Sequence, residues 1–174
     1  MYQYDKDEGL HEFGNLKTVA RLRSYLLPSG EMSEEGIRTL AETLVSFKQI
    51  LEDYGVTDIQ TVATAAVRQA SNNEQIIEKM REESGIKIDI LSEEEEAYFG
   101  FLAVVNSMDT PSAVTIDIGG GSTEITLFKN KKLLKTHSFP FGTVSLKQKF
   151  VKGAIMDDEE RKTLHAYVKE QFET

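Results

Sequence analysis

The sequence predicts an α/β protein. Short apolar, β-branched runs alternate with longer segments whose apolar residues recur at three- and four-residue steps, and the alternation holds in both halves of the chain. Hydrophobic residues make up 40% of the 174 positions, enough for a real core, and there are only three prolines to interrupt it.

Residues 2–4 and 16–22 read as strands, the first of them short. Ser33 is placed to cap a helix whose first turn carries Glu34 and Glu35, favourable against the helix dipole. Ile37, Leu40, Leu44, Phe47, Leu51 and Tyr54 give that helix one buried stripe, and Gly55 supplies its stop. Residues 59–63 form a short strand, from which Thr64-Ala65-Ala66 lead to Arg68. Asn72 or Asn73 caps a further helix that ends near Ser84-Gly85. Ile86, Ile88 and Ile90 alternate, so 86–91 is a half-buried strand. A helix over 93–108 puts Tyr98, Phe101, Leu102, Val105 and Met108 on its packed side. Pro111 marks a seam that divides the chain into a first domain, 1–109, and the beginning of a second, 110–174. Strands at 112–118, 124–129 and 132–139 and helices at 143–151 and 157–172 complete the second part.

Composition excludes several chemistries. There is no cysteine, hence no disulfide, thiolate nucleophile or cysteine-ligated zinc. His11, His137 and His165 show no metal-ligand spacing. Residues 1–5 lack the basic-then-apolar order of a signal peptide, and no apolar run approaches about 18 residues. The expectation is a cytoplasmic protein without a membrane partner. A formal net charge of −9 argues against general nucleic-acid binding. Its distribution is uneven. Residues 125–156 contain seven lysines and no Asp or Glu. Such a basic zone after a glycine-rich loop suits an anionic ligand; it is equally what a lysine-solubilised hairpin tip looks like.

Three features carry possible chemistry. The first is Asp117-Ile118-Gly119-Gly120-Gly121-Ser122-Thr123-Glu124, which joins two β-branched runs. That placement separates it from a Walker A loop and from the dinucleotide GxGxxG, both of which lead into a helix. Three consecutive glycines let a backbone approach a ligand and turn successive N–H groups toward it, an anion cradle. Asp117 and Glu124 are hard oxygen donors suited to Mg²⁺ or its waters. The alternative is an ordinary glycine-rich turn flanked by acids. The second feature is Ser92-Glu93-Glu94-Glu95-Glu96, a capping-box pattern that occupies Glu95 and leaves Glu96 for other work, such as accepting a proton from a water attacking phosphorus. A solvated helix start is the alternative. The third is Arg68, just past a buried strand, where a guanidinium suits either a bidentate phosphate clamp or a surface ion pair.

Taken in order, Thr61-Val62-Ala63-Thr64-Ala65-Ala66-Val67-Arg68-Gln69-Ala70, Leu91 to Ala97, and Ile116 to Glu124 resemble the exopolyphosphatase/guanosine pentaphosphate phosphatase (Ppx/GppA) family, from about Leu16 onward. The resemblance implies the actin/hexokinase/Hsp70 superfamily, with ribonuclease-H-like domains and an active site in the cleft between them. It implies Mg²⁺-assisted release of terminal phosphate from polyphosphate or pppGpp by in-line attack of water, without a phosphoenzyme. By position, Glu96 matches the base, Asp117 and Glu124 the acids that place metal and water, Gly119, Gly120, Gly121 and Ser122 the second phosphate loop, and Arg68 a phosphate-contacting arginine. A homodimer is among the implied assemblies.

The chain departs from that pattern in three ways. No Asp-x-Gly-Ser-Asn turn, the family's first phosphate loop, precedes Tyr2-Gln3-Tyr4, which resembles the strand after it. The second domain is expected to need more sequence than 110–174, and Glu93 and Arg23 stand where glycine is common. An incomplete first domain and a truncated second one imply an inactive fragment of a phosphohydrolase. The competing readings are a non-catalytic (p)ppGpp- or polyphosphate-binding module and a nucleotide-dependent kinase or ATPase of the same superfamily.

Overall fold

The computed structural model describes residues 1–7 and 9–173. Strands β1 (Tyr2–Asp5) and β2 (Gly9–Glu12) form an antiparallel hairpin, Tyr2 opposite Glu12 and Asp5 opposite Gly9. The expected strand over 16–22 does not form. Arg21 takes a left-handed conformation (φ 49°, ψ 41°) that no strand accommodates, and Leu22–Tyr25 coils into a 3-10 turn. Leu22, Tyr25 and Leu26 thereby reach the core.

Helix α1 (Glu34–Asp53) begins as its sequence directs, with Ser33 Oγ accepting from Gly36 N at 3.2 Å. Its stripe buries Ile37, Leu40, Ala41 and Leu44, then frays outward so that Tyr54 is exposed. β3 (Val62–Ala63) pairs in parallel with β4 (Asp89–Ile90) over two residues each, shorter than the expected 59–63 and 86–91. Among the described residues this pair has no third strand, and it gains little from extension, since such ladders are stable mainly inside larger covered sheets. Between them lie α2 (Ala65–Arg68) and α3 (Asn73–Ser84), the latter ended by left-handed Gly85. Asn72 does not cap α3; its amide instead accepts from Met32 N (2.9 Å) and donates to Met32 O (3.1 Å), tying α3 to the entry of α1. Ile76 and Met80 join Ile37, Leu44, Val67 and Ile88 in one aliphatic core.

Helix α4 (Glu93–Ser107) packs against the antiparallel meander β5 (Ala113–Ile118), β6 (Thr123–Lys129) and β7 (Lys132–Phe139), touching β6 and β7. Ala97 and Phe101 are its buried residues, Phe101 meeting Phe128 edge-on at 5.5 Å, whereas Tyr98 and Met108, expected on the packed side, are exposed. β5 is an outer strand whose Val114, Ile116 and Ile118 are 57%, 62% and 58% exposed on the face turned from α4. Helices α5 (Thr143–Phe150) and α6 (Asp158–Glu173) follow, and an aromatic cluster of Phe139, Phe141, Tyr167 and Phe172 joins α6 to the end of β7. No helix among the described residues is long and apolar enough to cross a membrane.

Candidate active site

The glycine segment joins β5 to β6, and its shape is set by the helix that docks on it. Gly119 O accepts from Thr143 N (2.9 Å), and Gly120 O accepts from Val144 N and Ser145 N (3.0 and 3.1 Å). The first-turn N–H groups of α5, which a helix leaves without internal partners, are thus satisfied by loop carbonyls rather than by a capping side chain. With the carbonyls committed to α5, the N–H groups of Gly120 and Gly121 donate to no acceptor among the described residues. None of the three glycines has a positive φ; their absent side chains matter as space. A Cβ on Gly121 would lie 3.3 Å from Arg23 Cδ and 3.5 Å from Ala65 Cβ. The strictest requirement falls on Gly142, where a Cβ would meet Gly119 O at 2.4 Å and Gly120 C at 2.7 Å. Sequence reasoning missed Gly142, although a glycine immediately before a predicted helix was available as a signal.

Strand register brings the two loop acids together. Asp117 and Glu124 are direct cross-strand partners, so their side chains leave the same face of the sheet. Like charges so opposed are destabilising, and Glu124 is also only 6% exposed. Burial raises its pKa above 4.5, with Glu96 and Asp117 adding to the rise, while hydrogen bonds from Ser122 and Ser138 oppose it. Ser138 Oγ donates to Glu124 Oε1 at 2.9 Å, a partner on β7 that the linear motif does not reveal.

Glu96 arrives from the first turn of α4. The capping box forms between Ser92 and Glu95, with Glu95 N donating to Ser92 Oγ (3.1 Å) and Glu95 Oε2 accepting from Ser92 N (2.8 Å). This leaves the Glu96 carboxylate to Arg68, whose Nη1 donates to Glu96 Oε2 at 2.8 Å and to Leu91 O at 2.9 Å. The pair is not a surface one: the side chains are 15% and 23% exposed, and Arg68 Nε and Nη2 are buried with no hydrogen-bond partner among the described residues.

Two clefts meet at Glu96. One, of about 330 Å³, lies between α4 and the sheet, lined by Glu96, Ala97, Gly100, Thr115, Asp117 and Glu124 among others. The other, of about 210 Å³, is lined by Glu96, the loop Gly119–Ser122, Thr64, Arg21 and Arg23. Arg68 lines neither; it backs Glu96 from the protein side. Lys129, Lys131 and Lys132 stand at the far end of the β6 and β7 strands, on a turn where Asn130 and Lys131 are left-handed. Six strand steps of about 3.4 Å put them roughly 20 Å from the glycine loop. The hairpin-tip reading of these lysines is the one their position fits.

Comparisons with known proteins place the chain in one family. The profile of the Ppx/GppA phosphatase family matches residues 3–174. Exopolyphosphatase 1 of Mycobacterium tuberculosis is 29% identical over 137 residues, covering 78% of this chain and 40% of that protein. A guanosine-5'-triphosphate,3'-diphosphate pyrophosphatase of Pseudoalteromonas translucida is 32% identical over 145 residues, covering 83% of this chain and 29% of that protein. An exopolyphosphatase structure from Cytophaga hutchinsonii matches with a TM-score of 0.86 at 27% identity, over 97% of this chain and 55% of that one. The α/β fold is shared with that exopolyphosphatase structure. This chain spans about half the length of the solved relative and less than half that of the curated ones.

Proposed function

The chain belongs to the Ppx/GppA phosphatase family, and from that premise we propose that it carries the catalytic side of a site hydrolysing terminal phosphoanhydride bonds of polyphosphate or pppGpp. One observation carries the reading: Glu96 stands where an acidic cleft and a glycine-lined cleft meet, its carboxylate oriented from behind by Arg68. A terminal phosphate in the glycine cleft has the free N–H groups of Gly120 and Gly121 as donors, aimed at oxygens that gain charge in the transition state. A water on the Glu96 side attacks phosphorus in line and passes a proton to the carboxylate. The new P–O bond forms as the bridging P–O bond breaks, and the shortened chain leaves. Arg68, through Leu91 O and Glu96, holds the base in place and contributes positive charge behind the phosphate.

The acidic cleft fits Mg²⁺ as a shared rather than an all-protein site. Among the described residues no three His, Asp or Glu side chains group closely enough to hold an ion by themselves. Two opposed carboxylates, one of them with a pKa raised by burial and by its acidic neighbours, are however a donor set that a hard cation completes with waters and phosphate oxygens. Asp117 and Glu124 would hold it, and when bound it would neutralise phosphoryl charge.

The test is orthophosphate release from tripolyphosphate, long-chain polyphosphate and pppGpp with Mg²⁺, for the chain and for Glu96→Ala. Release that falls by about a hundredfold or more in the variant supports the assignment; measurable and equal release from both overturns Glu96 as base. Tight binding without any release favours a non-catalytic polyphosphate- or (p)ppGpp-binding module.

A further inference from the structure

The 3-10 turn that replaces the expected strand carries a cation into the glycine cleft. Arg23 is half-buried there, its Cδ and Nε lying 3.3 and 3.5 Å from where a Cβ of Gly121 would be. Its Nη1 donates to Gln69 Oε1, a neutral acceptor on the segment after α2. No Asp or Glu forms an ion pair with it among the described residues, and burial lowers its pKa. A desolvated cation without a counter-charge is costly and is normally paired. Arg23 differs here from Arg68, whose charge is met by Glu96 and whose remaining nitrogens are sealed off; those of Arg23 stay accessible from the cleft it lines. The cleft, of about 210 Å³, extends from the glycine loop to Arg23, both of which line it.

We infer that Arg23 is a specificity-determining residue that grips a second phosphate next to the one held by the glycine loop, so that the cleft selects ligands with two or more anhydride-linked phosphates over orthophosphate. Gln69 fixes the guanidinium plane, and the free edge of the fork presents paired donors to a phosphate, geometry that lysine does not reproduce. The inference rests on the proposed phosphohydrolase reading for the cleft's ligand but not for turnover.

Titration calorimetry of the 174-residue chain with orthophosphate, diphosphate and tripolyphosphate tests it. Wild type should bind tripolyphosphate at least tenfold tighter than orthophosphate. Arg23→Gln should remove most of that ratio while leaving orthophosphate affinity within about twofold, and Arg23→Lys, which keeps the buried stem and the charge, should fall between. Equal losses for orthophosphate and tripolyphosphate, an unchanged ratio in both variants, or no tripolyphosphate binding by wild type would each overturn the assignment. Glu96→Gln separates the two ideas. If wild type binds tripolyphosphate with the predicted ratio but neither it nor Glu96→Gln releases phosphate, the hydrolytic reading fails and Arg23 stands.

Discussion

The two clefts that meet at Glu96 are built by opposite means. The acidic one is a product of strand register: once β5 and β6 pair, Asp117 must face Glu124, and α4 forms the opposite wall of the cleft. The glycine cleft is a product of docking, since its floor is held by α5, its wall is a 3-10 turn, and its cation comes from a segment nearly a hundred residues away from the loop in sequence. One side concentrates negative charge and the other concentrates unpaired donors. Their difference teaches that a single carboxylate, held by Arg68, divides an acidic cleft from one lined by donors.

The glycine side should be the more fragile. Gly142→Val is expected to have the largest effect, destabilising the chain by about 3 kcal/mol, because its Cβ would sit 2.4 Å from Gly119 O and backbone has no flexible end to give way. Urea denaturation checks this, and a wild-type midpoint in the variant would show that the loop is not clamped by α5. Next in size is the pair itself. Glu96→Ala strands a guanidinium that already has two buried nitrogens unsatisfied, and should cost about 2 kcal/mol, less than a fully buried pair because both side chains keep some exposure. Adding Arg68→Met to Glu96→Ala should recover part of that loss; a double variant no more stable than the single one would mean that Arg68 is held by Leu91 and its packing instead.

The acidic side should respond to pH. The folded-state pKa of Glu124 is raised above its ordinary 4.5, so its contribution to stability is fully present below that value and is lost as pH rises through the folded pKa. Glu124→Gln, which keeps an acceptor for Ser138, should therefore raise the melting temperature at pH 7 and leave it unchanged near pH 4. Mg²⁺ should do the same for wild type at pH 7 and much less for the variant. A melting curve insensitive to both would remove the crowded-carboxylate argument. The smallest effect is expected at Lys131 and Lys132. Their neutralisation should change stability by less than about 0.5 kcal/mol and leave tripolyphosphate affinity intact, since they lie on the distant turn. A clear loss of affinity would extend the anion site along the hairpin.

The same contrast explains what the sequence made legible. The first half of the stripe on α1 and the capping box at Ser92 and Glu95 follow from periodicity and local hydrogen bonds and appear as read, and the acids flanking the glycines fall on paired strands. Features that depend on remote partners do not. Nothing local to Arg68 points to Glu96, 28 residues on, and nothing around Ser138 points to Glu124. Residues 16–22 carry strand-like apolar residues, yet Leu16 and Val19 end exposed because left-handed Arg21 turns the chain toward the aliphatic core. Tyr98 and Met108 fit a helical stripe, but α4 meets the sheet mainly through Ala97 and Phe101.

Strand β5 also bears on how such experiments behave in the tube. Val114-Thr115-Ile116-Asp117-Ile118 is a β-branched outer strand with its apolar side chains in solvent, the composition of a segment that pairs with its own kind at high concentration. Asp117 is the one charge that interrupts it and so acts as a gatekeeper against self-association. Replacing that aspartate alters the edge strand as well as the cleft, so an Asp117→Asn preparation is compared with wild type at matched aggregation state, checked by size-exclusion chromatography.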